Sequence, residues 1–311
     1  MVYTKYKRGM HMAGKTQKKY KKDKRKNFIR EKKIYCGKEW LEVDIVPVTN
    51  MPEAGKKKTG ITSQKQQNLN DKRSKRRFVQ TAHTNFGHGD CHISLTYNNA
   101  HLPSSLKEAE KTVHNYLNRV RRRMKKVTGK ELKWMLVTEY TPEEGEGQQM
   151  VLGGMEDKRT KPVRVHHHII LSGGLSRDEL ELLWSTTRIN WNKVQDAGYR
   201  RTVDMIGFIN CDRLQPDENG LEGLTNYINK RKKSARKWST SQNLEKPKEK
   251  KNDYKYSFKK LREMAKTPED KETWRRQYQG YEPVKIDYQY SIYTGWSVYL
   301  RLHKLPGSKC G

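Results

Sequence analysis

Long apolar runs are missing from this 311-residue chain. No stretch approaches the roughly 20 apolar residues that a membrane-spanning helix needs, and nothing resembles a secretory leader. A cytoplasmic protein with no membrane partner is therefore expected. Cysteine is scarce: Cys36, Cys91, Cys211 and Cys310 are widely separated and form no CxxC pair. That spacing argues against a zinc knuckle or ribbon and fits free thiols in a reducing compartment. No Gly-x-x-x-x-Gly-Lys phosphate loop occurs, so a fused helicase is not expected. Hydrophobic residues, at 33%, are few for a fully packed chain.

Acidic residues are also outnumbered, with 35 Asp+Glu against 66 Lys+Arg and a formal net charge of +31. Such an excess attracts polyanions and speeds encounter with them, which makes nucleic acid the leading partner. By charge alone, a basic ribosome-associated or disordered protein would fit as well. Apolar periodicity distinguishes them: it is clear across 90–230, while 1–33 and 231–260 are dominated by Lys and Arg. The expected organisation is a flexible basic arm at 1–33, a strand and basic helix within 34–84, a globular domain at 85–235 and a basic C-terminal extension at 236–311.

Leu41, Val43 and Ile45 alternate with acids, which argues a strand ended by Pro47. Residues 50–65 look like a linker, and 66–84 suit a basic helix. Alternation over Cys91–Tyr97 argues a strand, closed by a turn at Asn98-Asn99. Ser105 and Glu108 have capping-box spacing ahead of Leu106, Val113, Leu117, Val120 and Met124 at helical spacing. Arg119, Arg121, Arg122, Arg123, Lys125 and Lys126 cover much of the rest of that helix and are expected to bind DNA, as is Arg164 further on. Strands follow at 133–140 and 163–171, then a helix from Ser176 and Glu179, a strand around Ile206–Asn210, and a helix after Gly220. Antiparallel strands packed on helices give an α+β fold with a central antiparallel sheet.

Three consecutive histidines sit in the 163–171 strand. Strand side chains alternate faces, so His166 and His168 share one face and His167 takes the other. Two imidazoles so placed suit one divalent metal. Glu139, at the end of the preceding strand, would come beside them by antiparallel pairing. Two imidazoles and a carboxylate leave positions for a phosphate oxygen, which suits Mg²⁺ or Mn²⁺ as a Lewis acid. On the last helix of the domain, Tyr227 and Lys230 are neighbours at i and i+3. A tyrosine oxygen can attack a phosphodiester, and a lysine can stabilise the developing charge.

These segments resemble the HUH endonuclease superfamily, in particular replication initiators of phages, plasmids and single-stranded DNA viruses. The resemblance is carried by Ile93-Ser94-Leu95-Thr96-Tyr97 with His101-Leu102-Pro103, by Glu139-Tyr140, by Val165-His166-His167-His168-Ile169-Ile170-Leu171, and by Tyr227-Ile228-Asn229-Lys230. His167 stands where the family has a hydrophobic residue. The tyrosine follows the histidines, as in replication initiators and unlike conjugative relaxases. The resemblance spans roughly residues 85–235. It implies a rolling-circle initiator in a bacterial host cell that nicks and rejoins single-stranded origin DNA, of the hairpin kind, through a 5′-phosphotyrosine, with host helicase and polymerase as further partners. The competing expectations are a non-catalytic basic DNA- or RNA-binding protein and a transposase of the same superfamily.

Overall fold

The computed structural model describes residues 27–49, 64–139, 165–229 and 238–307, and these make a mixed α+β molecule. In chain order the strands are β1 (Asn27–Cys36), β2 (Trp40–Thr49), β3 (Cys91–Leu95), β4 (Trp134–Glu139), β5 (His166–Leu171), β6 (Ile209–Arg213), β7 (Ser239–Thr240), β8 (Lys248–Asn252), β9 (Tyr281–Ser291) and β10 (Gly295–Lys304). The helices are α1 (Gln64–Asn85), α2 (Leu106–Thr128), α3 (Arg177–Leu183), α4 (Ala197–Arg201), α5 (Glu222–Ile228), α6 (Phe258–Met264) and α7 (Lys271–Gln277).

The strands form two antiparallel five-stranded sheets. The order is β6-β3-β5-β4-β7 in the central sheet and β8-β1-β2-β10-β9 in the other, the terminal sheet. One face of the central sheet buries Ile93, Leu95, Leu136 and Ile169 against Val113, Tyr116, Leu117 and Val120 of α2 and against α3. Its other face buries Met135, Val137 and Ile170 against Phe78 and Ala82 of α1 and Leu221 and Ile228 of α5. The terminal sheet packs Leu41, Val43 and Leu300 on Leu261 of α6 and Trp274 of α7.

Helix α1 lies between the two sheets and is chemically two-faced. Phe78 and Ala82 enter the central core. The opposite side is polar: Arg76 pairs with Glu42 at 2.7 Å and Asp44 at 2.9 Å, and Gln80 donates to Glu42 at 2.8 Å. Glu42 is almost wholly buried, so its charge is tolerable only because of those donors.

Capping residues end and begin helices as the spacing predicts. Ser105 accepts from the Glu108 amide at the start of α2, but the Glu108 carboxylate accepts from Ser104 instead of closing the expected box, whereas Ser176 and Glu179 form a reciprocal capping box at α3. Gly129, at φ +70°, ends α2.

Four expectations need correction. Residues 27–33, placed in the flexible arm, belong to β1. Its charge run is held by partners far along the chain: Arg30 by Asp253 at 2.7 Å, and the buried Glu31 by Lys255 at 2.9 Å and Tyr278 at 2.6 Å. The stretch placed in a C-terminal extension supplies three of the terminal sheet's five strands. Pro47 does not end β2. It pairs with Ile29 of β1, while the ladder to β10 begins at Ile45, so the missing N–H falls where no second strand needs it. The strand expected at Ile206–Asn210 begins three residues later, at Ile209. The arm through residue 26, the linker through residue 63, Tyr140, Arg164, Lys230 and Cys310 lie outside the described residues.

His83, on α1, stacks on Trp40 with ring centroids 4.9 Å apart, and its Nε2 accepts the Leu221 amide at 2.9 Å. Burial, aided by the nearby Arg301, lowers its pKa from 6.5 to about 4. The folded chain thus keeps His83 neutral while the unfolded chain takes up a proton below pH 6.5. Stability should fall as pH drops from 6.5 toward 4. His83→Gln keeps an acceptor for Leu221 but cannot titrate. Chemical denaturation across that range should give a shallower decline for His83→Gln than for the parent; identical slopes would contradict the account.

Candidate active site

The triple histidine is split by strand alternation as expected. His167 is fully buried on the α2 side. Its Nε2 meets Tyr97 Oη at 2.8 Å and its Nδ1 meets Thr138 Oγ1 at 2.8 Å. Burial, with its neighbouring histidines, lowers its pKa to about 3, so it is neutral. Both ring nitrogens are occupied by core hydroxyls, which makes His167 a packing residue.

His166 and His168 lie on the other face. Register places Glu139 directly opposite His166 on β4, and Val137 opposite His168. On β3, Ser94 is opposite His168. His168 Nδ1 is 3.1 Å from Ser94 Oγ and 3.4 Å from His92 Nε2, and the His92 and His168 rings stack at 5.5 Å. With Nδ1 engaged, Nε2 of His168 is the nitrogen left for a ligand. Burial also holds His168 below its ordinary pKa, which favours the neutral imidazole that a metal requires. Ser94 and His92 were not assigned a role from sequence. Their signal was positional: both sit at even spacing on the strand that pairs with the histidine strand.

Two imidazoles and a carboxylate, on one face of one sheet, are donor types that divalent cations accept. They share the face without converging: among the described residues no group of three or more His, Cys, Asp or Glu side chains is drawn together as a metal cluster.

Tyr227 comes to this face from α5. Its ring packs edge-on against His168, with centroids 5.9 Å apart and planes at 79°, and just over half of its surface stays exposed. Leu221 and Ile228 anchor one side of α5 in the core. The other side is fixed from the terminal sheet. Arg301 of β10, only 2% exposed, pairs with Glu222 at 2.5 Å and donates to Asn219 at 3.2 Å. Gly220, at φ +71°, lets the chain turn into α5. A Cβ there would fall 2.7 Å from His83 Nε2 and 2.8 Å from Trp40, so only glycine fits.

The basic helix does not share this face. Helix α2 packs on the opposite side of the central sheet, so Arg119, Arg121, Arg122, Arg123, Lys125 and Lys126 are not brought beside His166 and His168. Two of them are already engaged. Arg123 binds Glu179 at 2.6 Å and lies 3.7 Å from the Trp191 ring centroid, and Lys125 binds Glu131 at 2.7 Å. The sequence showed their charge but not their side of the sheet.

No protein-family model, curated protein or solved structure matches this chain.

His167→Ala should lower the free energy of unfolding by about 2–4 kcal/mol, since it opens a cavity and leaves Tyr97 and Thr138 unpaired. His166→Ala, at a half-exposed position, should cost no more than about 0.5 kcal/mol. Urea denaturation measures both, and equal costs would contradict the assignment of His167 to the core.

Proposed function

We propose that the chain is a metal-dependent HUH-type endonuclease that nicks and rejoins single-stranded DNA as a rolling-circle replication initiator. The observation that carries this reading is the contact of the Tyr227 ring with His168, on the sheet face that also holds His166 and Glu139. A tyrosine and a pair of strand histidines, 59 positions apart at Tyr227 and His168, meet on one sheet face at the edge of the apolar cluster of Met135, Val137 and Ile170, which a merely basic binding protein would not need.

In this reading His166, His168 and Glu139 would have to be drawn together from their shared face to hold Mg²⁺ or Mn²⁺, which when bound would supply Lewis-acid polarisation of a phosphate oxygen. Ser94 and His92 fix the His168 ring. The Tyr227 phenol gives up its proton and its oxygen forms a bond to the scissile phosphorus. The bond from phosphorus to the 3′ oxygen breaks, and that oxygen leaves with the electron pair and takes a proton. The products are a 5′-phosphotyrosine and a free 3′ hydroxyl able to prime synthesis. Attack by a 3′ hydroxyl reverses the step and rejoins the strand. Basic residues supply sequence-independent affinity for phosphates. Tyr227 is exposed enough to accept a strand without opening the core.

His168→Ala should abolish Mn²⁺-dependent nicking of a single-stranded origin oligonucleotide and leave most of the DNA affinity, because cations on phosphates and not imidazoles provide that affinity. Chelation of the metal should do the same to the parent. Nicking by the His168 variant at the parent rate would contradict the reading.

A further inference from the structure

A pocket of about 460 Å³ lies where α1, α5 and the terminal sheet meet, a size that suits a small ligand. Helix α5 forms one wall with Glu222 and Asn226, which share a helix face at i and i+4. Asn226 precedes Tyr227. A strand cut at Tyr227 would therefore reach the pocket within about 10 Å, a helix diameter.

The charges lining the pocket divide into two sets. The first is held by ion pairs and stays net acidic: one guanidinium, Arg76, serves both Glu42 and Asp44, and Arg301 holds Glu222. Asp287 accepts from Gln289 at 3.0 Å. The second set is Lys72 and Lys75 of α1 and Lys285 of β9, which make no ion pair or hydrogen bond with any described residue. The pocket thus offers three ammonium groups outside these ion pairs, with Lys285 near enough to Glu222 to help hold its carboxyl below the usual range, and a Tyr299 ring that the Arg76 guanidinium already covers at 4.7 Å. Five cations against four carboxylates leave the lining net positive by one. That combination recognises a phosphate with a base attached.

We propose that this pocket holds a nucleotide of the single strand adjacent to the one cut at Tyr227. The inference rests on the endonuclease reading and adds to it: the terminal sheet both braces α5 and binds substrate. Single strands are otherwise gripped by a positive groove that tracks the backbone, and the unpaired lysines continue such a groove past the tyrosine.

The test uses the full chain and a fluorescent oligo-dT of about 16 nucleotides, with anisotropy titrations at several salt concentrations. A K72Q/K75Q/K285Q variant is compared with K248Q/K250Q/K251Q, which removes equal charge from β8 at the opposite edge of the same sheet. The pocket variant should bind at least tenfold more weakly than the control, and its salt slope should fall by about 0.7 for each phosphate that is no longer neutralised. Equal affinities for the two variants would overturn the pocket, as would a change in the pocket variant's oligomeric state with DNA affinity intact. Covalent adduct formation by the parent is followed in parallel. Adduct with equal affinities refutes the pocket and leaves the endonuclease standing. No adduct from the parent refutes the endonuclease, and with it a cut strand for the pocket to hold.

Discussion

A charged guanidinium buried to 2% exposure must be paired, and Arg301 finds its partners on the segment that carries Tyr227. Its bonds to Glu222 and Asn219 join β10 to the start of α5. Breaking them would strand a charge in a low-dielectric setting, at a cost of about 3–5 kcal/mol. The same junction seats Leu221 on His83 and requires Gly220 to have no Cβ. Helix α5 has only seven residues and no side-chain cap, too short to hold its own geometry. Its direction is imposed from outside, and the position of Tyr227 follows from that.

This dependence explains why the protein carries a second sheet. The central sheet alone presents His166, His168 and Glu139, but its apolar packing holds only one side of α5. Helix α1 ties the sheets together by using different chemistry on each face: phenylalanine toward the histidine sheet, arginine and glutamine toward Glu42. An apolar interface on both sides would bury more surface but would let the sheets slide. Directional bonds from Arg76 to two carboxylates fix their register. The basic surface of α2 lies on the far side of the central sheet from Tyr227.

Local pattern made much of the central sheet legible. Alternation set β3, β4 and β5, capping residues set α2 and α3, and period two separated His167 from its neighbours. The pairing of Glu139 with His166 followed from treating consecutive strands as antiparallel neighbours, even across a long connection. What sequence hid was non-local. The charges of β1 look like a solvated run because Asp253, Lys255 and Tyr278, their partners, lie more than 220 positions away. β9 and β10 carry alternation of their own, but nothing local ties them to β1 and β2. The side of the sheet taken by α2 depends on the handedness of packing, which its composition does not encode. Ser94 and His92 gained meaning only once β3 was known to flank β5.

The central claim is that Tyr227, held against His168 by the terminal sheet, is the nucleophile. Peptide mapping by mass spectrometry of the covalent adduct formed with a single-stranded oligonucleotide and Mn²⁺ tests it most directly. The account predicts the DNA phosphate on the peptide that contains Tyr227 and nowhere else. DNA attached to a peptide bearing any other tyrosine would contradict it.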